Sequence, residues 1–268
     1  MTGNHPAGVM RRAGIRRTLA SVTTNRITYI GHATLLIELG GARLLTDPVL
    51  RGRVAYLVRH GAAPEVPREI DAVLISHMHH DHLDIPSLRL LGGRPRVIAP
   101  RGAGSILRRS GLDVEELERD ESIEVAGTRV RAVRADHDSG RWPVAGATAT
   151  PLGFLAGDSP SVYFAGDTDL FPEMEAIGPV DIALLPVAGW GPKLGPGHMD
   201  AVRAAQAVAV LRPRIAIPIH WGTIHPTWVK PGAWFSEPGE RFEAQVAAVA
   251  PEVEVRVLAP GESTAVSA

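Results

Sequence analysis

The chain contains no cysteine. Disulfides are thereby excluded, and any bound metal has to be held by histidine, aspartate or glutamate. Lysine is nearly as scarce: Lys193 and Lys230 are the only two, and arginine carries the remaining positive charge. With 28 basic against 29 acidic residues the net charge is −1. That balance offers no basic face for a phosphate backbone, so nucleic acid is not expected as a partner. No stretch approaches the ~18 apolar residues of a membrane-crossing helix. The first residues also lack the apolar run of about 7–15 residues that a secretory signal needs; Thr18-Leu19-Ala20-Ser21-Val22 is too short and too polar. The expectation is a cytoplasmic protein. Residues 1–25, with Arg11, Arg12, Arg16 and Arg17, form a flexible basic leader, and residues 26–268 form one domain.

What the chain does have is histidine, and four metal-binding side chains fall within one stretch of six residues, His77-Met78-His79-His80-Asp81-His82. The stretch follows the apolar run Asp71-Ala72-Val73-Leu74-Ile75-Ser76, which reads as a buried strand. Residues two apart at a strand end point the same way, so His77 and His79 can share one cation. Asp81 and His82 are expected at the start of a helix, facing a second cation. Three histidines and a carboxylate suit zinc, although manganese and iron occupy similar sites. A histidine-rich surface turn is the plainer alternative, and the spacing argues against it.

Three more metal-compatible residues follow apolar strands. His137 comes after the strand 129–135, Asp167 after Val162-Tyr163-Phe164-Ala165-Gly166, and His220 after Ile215-Ala216-Ile217-Pro218-Ile219. Alone, each is more often structural; beside the histidine cluster the balance reverses. Further strands are expected at 26–30, 33–39, 42–46, 96–99, 122–125, 182–185 and 254–258, and helices at 102–110, 200–211 and 237–250. Residues 48–68, rich in arginine and proline, read as a long irregular loop. No repeat or low-complexity linker divides the chain, which points to layered sheets with helices outside.

Taken in order, these pieces resemble the metallo-β-lactamase superfamily over residues 26–265. Ile30-Gly31-His32-Ala33-Thr34, Thr46-Asp47-Pro48, Asp138-Ser139-Gly140-Arg141, Gly197-His198-Met199-Asp200 and Ile219-His220-Trp221-Gly222 resemble the branch of N-acyl-phosphatidylethanolamine phospholipase D and ascorbate-6-phosphate lactonase. The resemblance implies a four-layer αββα sandwich holding two divalent metal ions. His77, His79 and His137 would take one, Asp81, His82 and His220 the other, with Asp167 and a water between them. Held as hydroxide at neutral pH, that water would hydrolyse a small or lipid-like phosphodiester; the alternative is a lactone or other carboxylic ester. Asp81 would orient the hydroxide as well as bind metal. Cysteine-ligated antibiotic hydrolases are not matched. Flavin-linked di-iron relatives, which carry glutamate where this chain has His79, are not matched either.

Several residues remain open at this level. His198, in a glycine- and proline-rich loop, would stabilise an oxyanion or cap the following helix. Asp47 would orient a ligating imidazole or shape a turn. His32 would line the site or pack as a structural histidine, and Lys193 would contact phosphate or simply be solvated. Trp142, Trp190, Trp221, Trp228 and Trp234 would wall an apolar pocket or plug the core ends. Nothing in the sequence speaks to oligomeric state.

Overall fold

Short apolar strands with period-two alternation build the first sheet. In the computed structural model, which describes residues 25–138, 140 and 148–267, β1 (Arg26–Gly31), β2 (Thr34–Leu39) and β3 (Ala42–Thr46) pair antiparallel. Gly40 and Gly41, both at positive φ, close the turn between β2 and β3. Alternation along β1 sends Ile27 and Tyr29 into the central core and Ile30 into the outer one. Next come β4 (Arg53–Val54) and β5 (Leu57–Arg59), followed by β6 (Ala72–Leu74), β7 (Arg96–Pro100) and β8 (Val114–Leu117). The last three extend the first sheet in parallel from β3.

The second sheet starts as antiparallel hairpins, β9 (Ser122–Val125), β10 (Thr128–Arg134), β11 (Leu152–Ala156) and β12 (Val162–Phe164). It then turns parallel through β13 (Ile182–Pro186), β14 (Ile215–Ile219) and, past β15 (Ile224–Pro226), β16 (Glu254–Val255). β13 and β14 are buried at every residue, as strands covered on both faces must be. A final strand, β17 (Ser263–Ala265), pairs with β1 and closes the free edge of the first sheet.

Three apolar layers hold the sheets together. Ile27, Leu35, Leu44 and Leu74 of the first sheet meet Val130, Phe154, Phe164 and Leu184 of the second in the central core. Outside the first sheet lie α1 (Ile85–Leu90) and α2 (Gly104–Arg109), represented by Leu88 and Leu107. Outside the second lie α3 (Ala201–Leu211), the short α4 (Ala233–Ser236) and α5 (Pro238–Val249). α3 buries Ala201, Ala204, Ala205, Val208 and Leu211 at helical spacing, and the Asp200 carboxylate caps it by accepting the Arg203 N–H. The architecture is the expected αββα sandwich.

Four local readings need correction. Residues 48–68 are not wholly irregular, since they supply β4 and β5, which join the distant β15 in a separate three-stranded sheet. Asp81 and His82 do not begin a helix; they sit in a turn, and α1 starts at Ile85 behind the cap of Asp84. Pro86 explains the delay, because proline fits the first turn of a helix but not its interior. β11 escaped notice because Gly153 interrupts its apolar run. There a Cβ would sit 3.0 Å from Tyr163 and 3.1 Å from the Phe164 carbonyl, so only glycine lets the strands approach. The final strand in the 254–258 region covers only Glu254–Val255. The leader and Ser139, Arg141 and Trp142 lie outside the described residues.

Candidate metal centre

Strand ends place the polar residues. β12, β13 and β14 run parallel, so the segments leaving their C-terminal ends emerge on one edge of the second sheet, among them Asp167 after β12 and His220 after β14. The first sheet supplies 77–82 from the end of β6. Contact between the two sheets at this edge depends on Gly166 (φ 62°), where a Cβ would lie 2.5 Å from Ser76 Cβ. That close approach brings the segment bearing His77 against the one bearing Asp167, near enough for His77 to feel the carboxylate's charge.

One group consists of His77, His79 and His137. His79 Nδ1 lies 3.0 Å from His77 Nε2 and 3.1 Å from His137 Nε2. The outward nitrogens already have partners. Ser76 Oγ donates to Asp47 Oδ2 at 2.5 Å, leaving an oxygen lone pair for His77 Nδ1–H at 2.9 Å. His137 Nδ1–H donates to the Gly197 carbonyl at 2.7 Å. Both rings therefore turn bare Nε2 lone pairs inward. Burial keeps these rings neutral: it lowers the His77 pKa well below the ordinary range and the His137 pKa to about 4.

The other group is richer in charge. His82 and His220 face each other, Nε2 to Nε2, at 3.2 Å. Their Nδ1–H groups donate to Asp47 Oδ2 at 2.7 Å and the Ala188 carbonyl at 2.8 Å, so both Nε2 atoms point into the site, where a bound cation would take the place of a proton. Asp81 Oδ2 lies 3.5 Å from His82 Nε2 and 3.7 Å from His220 Nε2. Asp167 lies between the groups: its Oδ2 is 3.2 Å from His82 Nε2 and 4.0 Å from His137 Nε2, and its Oδ1 is 3.2 Å from His220 Nε2. Asp167 Oδ1 is buried without a hydrogen-bond partner.

The electrostatics favour a cation at this point. Burial disfavours charge on His220, yet Asp167 and Asp81 outweigh it and lift its pKa to about 9. Asp167, Asp81 and Asp47 likewise overcome burial at His82 and raise its pKa well above the usual value. Asp81 and Asp167 stay ionised despite burial, held well below the carboxylate range by the surrounding histidines. Inward lone pairs, two buried carboxylates and an orphaned oxygen form a donor set that fits divalent ions.

The remaining candidates separate. His198 joins the site, its Nε2 3.3 Å from Asp167 Oδ2, with its Nδ1 turned to the carbonyls of Gly195 and Pro196. Asp47, fully buried, holds His82 and the Ser76 hydroxyl. His32 is buried against Asp81. Lys193 is exposed. Trp221 packs in the outer core and donates to the Pro218 carbonyl. Trp190, half-buried, and the exposed Trp228 instead group with Tyr56, at ring separations of 5.6 and 5.3 Å from it. Tyr56 was not anticipated, because one tyrosine in a loop carries no pattern. The carbonyls of Gly197 and Ala188, which orient two of the rings, have no sequence signature at all.

A family model described as a β-lactamase superfamily domain matches residues 42–221. The chain is 35% identical over 258 residues to a UPF0173 metal-dependent hydrolase of Methanopyrus kandleri, covering 89% of this chain and 98% of the relative. It is 34% identical over 261 residues to an uncharacterized protein of Mycobacterium tuberculosis, covering 88% and 67%. Among solved structures, Igni18, a metallo hydrolase from Ignicoccus hospitalis, superposes with a TM-score of 0.69 at 24% identity, covering 90% of this chain and 98% of that one.

Proposed function

The chain belongs to the metallo-β-lactamase superfamily of metal-dependent hydrolases, and on that premise we propose that it is a dinuclear hydrolase acting on a small or lipid-like phosphodiester. The observation that carries the dinuclear reading is the position of Asp167 between two groups of inward-facing histidines, with one oxygen orphaned. His77, His79 and His137 would hold one ion and Asp81, His82 and His220 the other, with Asp167 shared. Zinc suits this all-nitrogen-and-oxygen set, and manganese or iron would fit similar donors. Bound there, divalent ions would supply Lewis acidity to a scissile oxygen and lower the pKa of a nucleophilic water.

The protein's own groups do the rest. Asp81, ionised and buried, accepts a hydrogen bond from an attacking water and so orients it. His198 reaches the site from the loop before α3, where an Nε2–H can donate to charge developing on a phosphoryl oxygen. Rings at Tyr56, Trp190 and Trp228 offer an apolar surface for the rest of the substrate. Trp190 lies two residues beyond Ala188, the residue holding His220, and Trp228 is 70% exposed. Such a surface favours a substrate with an apolar arm. The resemblance noted in the sequence embraces both a phospholipase and a lactonase, and the apolar surface is what inclines the reading to a lipid-like diester. We read residues 26–268 as the hydrolase domain, with 1–25 outside it. Among the described residues, no helix is long and apolar enough to cross a membrane.

The test is hydrolysis of a chromogenic phosphodiester by protein loaded with zinc or manganese, alongside Asp167→Ala and a panel of lactones. Turnover of the diester that vanishes in the variant supports the reading. Lactone turnover without diester turnover would replace it with a lactonase using the same residues.

A further inference from the structure

His32 is none of the seven proposed ligands, yet it touches two of them. Its Nε2 lies 2.9 Å from Asp81 Oδ2, and its ring centroid is 3.8 Å from that of His220. The residue sits in the left-handed region, φ 60°, which is uncommon for any residue other than glycine and needs local support. Three hydrogen bonds impose that conformation. The His32 N–H is shared between Tyr29 Oη at 3.0 Å and Thr223 Oγ1 at 2.9 Å, and the His32 carbonyl accepts the His220 N–H at 2.8 Å.

The support extends a layer further. At Gly31 (φ 127°) a Cβ would meet Thr223 Cγ2 at 2.7 Å and Arg59 Nη1 at 2.9 Å, so the turn accepts only glycine there. Arg59 is buried and donates to the carbonyls of Val49 and Ile30 instead of pairing with a carboxylate. A strained turn fixed from β1, β5 and the segment after β14 has one evident product: it aims a single imidazole at one carboxylate oxygen.

We infer that His32 is a positioning residue, donating Nε2–H to Asp81 Oδ2 and so fixing the rotation of that carboxylate toward His82 and His220. The inference rests on the reading of Asp81, His82 and His220 as a metal site. The distances separate donor from ligand. His32 is at hydrogen-bond length from Oδ2, whereas His82 and His220 stand at 3.5 and 3.7 Å from it. The wider spacing suits atoms that share an ion at about 2.0–2.2 Å each. Without the donor, Asp81 is free to turn, and the second group would lose its only unshared carboxylate.

Calorimetric zinc titration of wild type, His32→Ala and His32→Gln tests this. Wild type should bind two ions. His32→Ala should keep one and bind the other about 10–100-fold more weakly. His32→Gln, which retains an N–H of similar reach, should recover much of that loss. A merely structural role would lower the melting temperature of both variants alike and leave the two affinities unsplit. Should His32→Ala fail to fold, wild-type protein with ¹⁵N-histidine and ¹¹³Cd decides. The expected result is a protonated His32 Nε2 without cadmium coupling, while the ligating rings do couple. Cadmium coupling to His32, or wild-type affinity for both ions in His32→Ala, would overturn the inference. Failure of wild type to bind any metal would instead remove the metal-site reading beneath it.

Discussion

Asp47 shows how much a single side chain outside the proposed ligands decides. One of its oxygens accepts from both His82 Nδ1 and Ser76 Oγ, and Ser76 in turn holds His77. One carboxylate therefore sets the tautomer of a ring in each group. Asp47→Ala should weaken metal binding about 10–100-fold, measured as metal retained after dialysis against a competing chelator. Tyr163 presents the opposite case. Its hydroxyl is buried in the core without a partner, and burial raises its pKa. A desolvated hydroxyl that makes no bond costs stability. Tyr163→Phe should raise unfolding free energy by about 1 kcal/mol in urea, with metal content unchanged.

Among the elements, the loop leading into α3 matters most for the site. It carries His198, and its Gly197 carbonyl orients His137. Gly197 adopts φ 73°, and a Cβ there would lie 2.9 Å from His137 Nδ1 and 3.1 Å from its Cα. Both the backbone and the neighbouring ring require glycine. Gly197→Ala should therefore displace His137 and cost the first group most of its metal affinity. The expected readout is one ion per chain in the variant against two in wild type, if both groups load as proposed. α3 itself should persist, because its cap and its buried alanines lie beyond the change, and far-ultraviolet circular dichroism would confirm that.

For the whole molecule, the proposed metal centre would act as a clasp between the two sheets. His77, His79, Asp81 and His82 come from the first, and His137, Asp167 and His220 from the second. An ion held by both binds only the folded state, so its binding free energy adds to stability. Chelation should lower the melting temperature, and re-addition of zinc should restore it. At metal concentrations about 1,000-fold above the dissociation constant the gain is about 4 kcal/mol. Equal melting temperatures with and without chelator would count against a clasp.

The sequence by itself determined the donor types, their order along the chain and a layered α/β class, and the family resemblance implied the αββα sandwich. Absent cysteine left only histidine and carboxylates, and each candidate follows an apolar strand, a pattern visible residue by residue. Local chemistry of that kind survives in one dimension. The tertiary structure alone decided which ring nitrogens face inward, because the orienting carbonyls of Gly197 and Ala188 look the same in any residue. It alone placed Asp167 between the two groups and set His32 against Asp81. Those contacts join segments far apart in the chain, and only the packing of two sheets edge to edge brings them within a few ångströms.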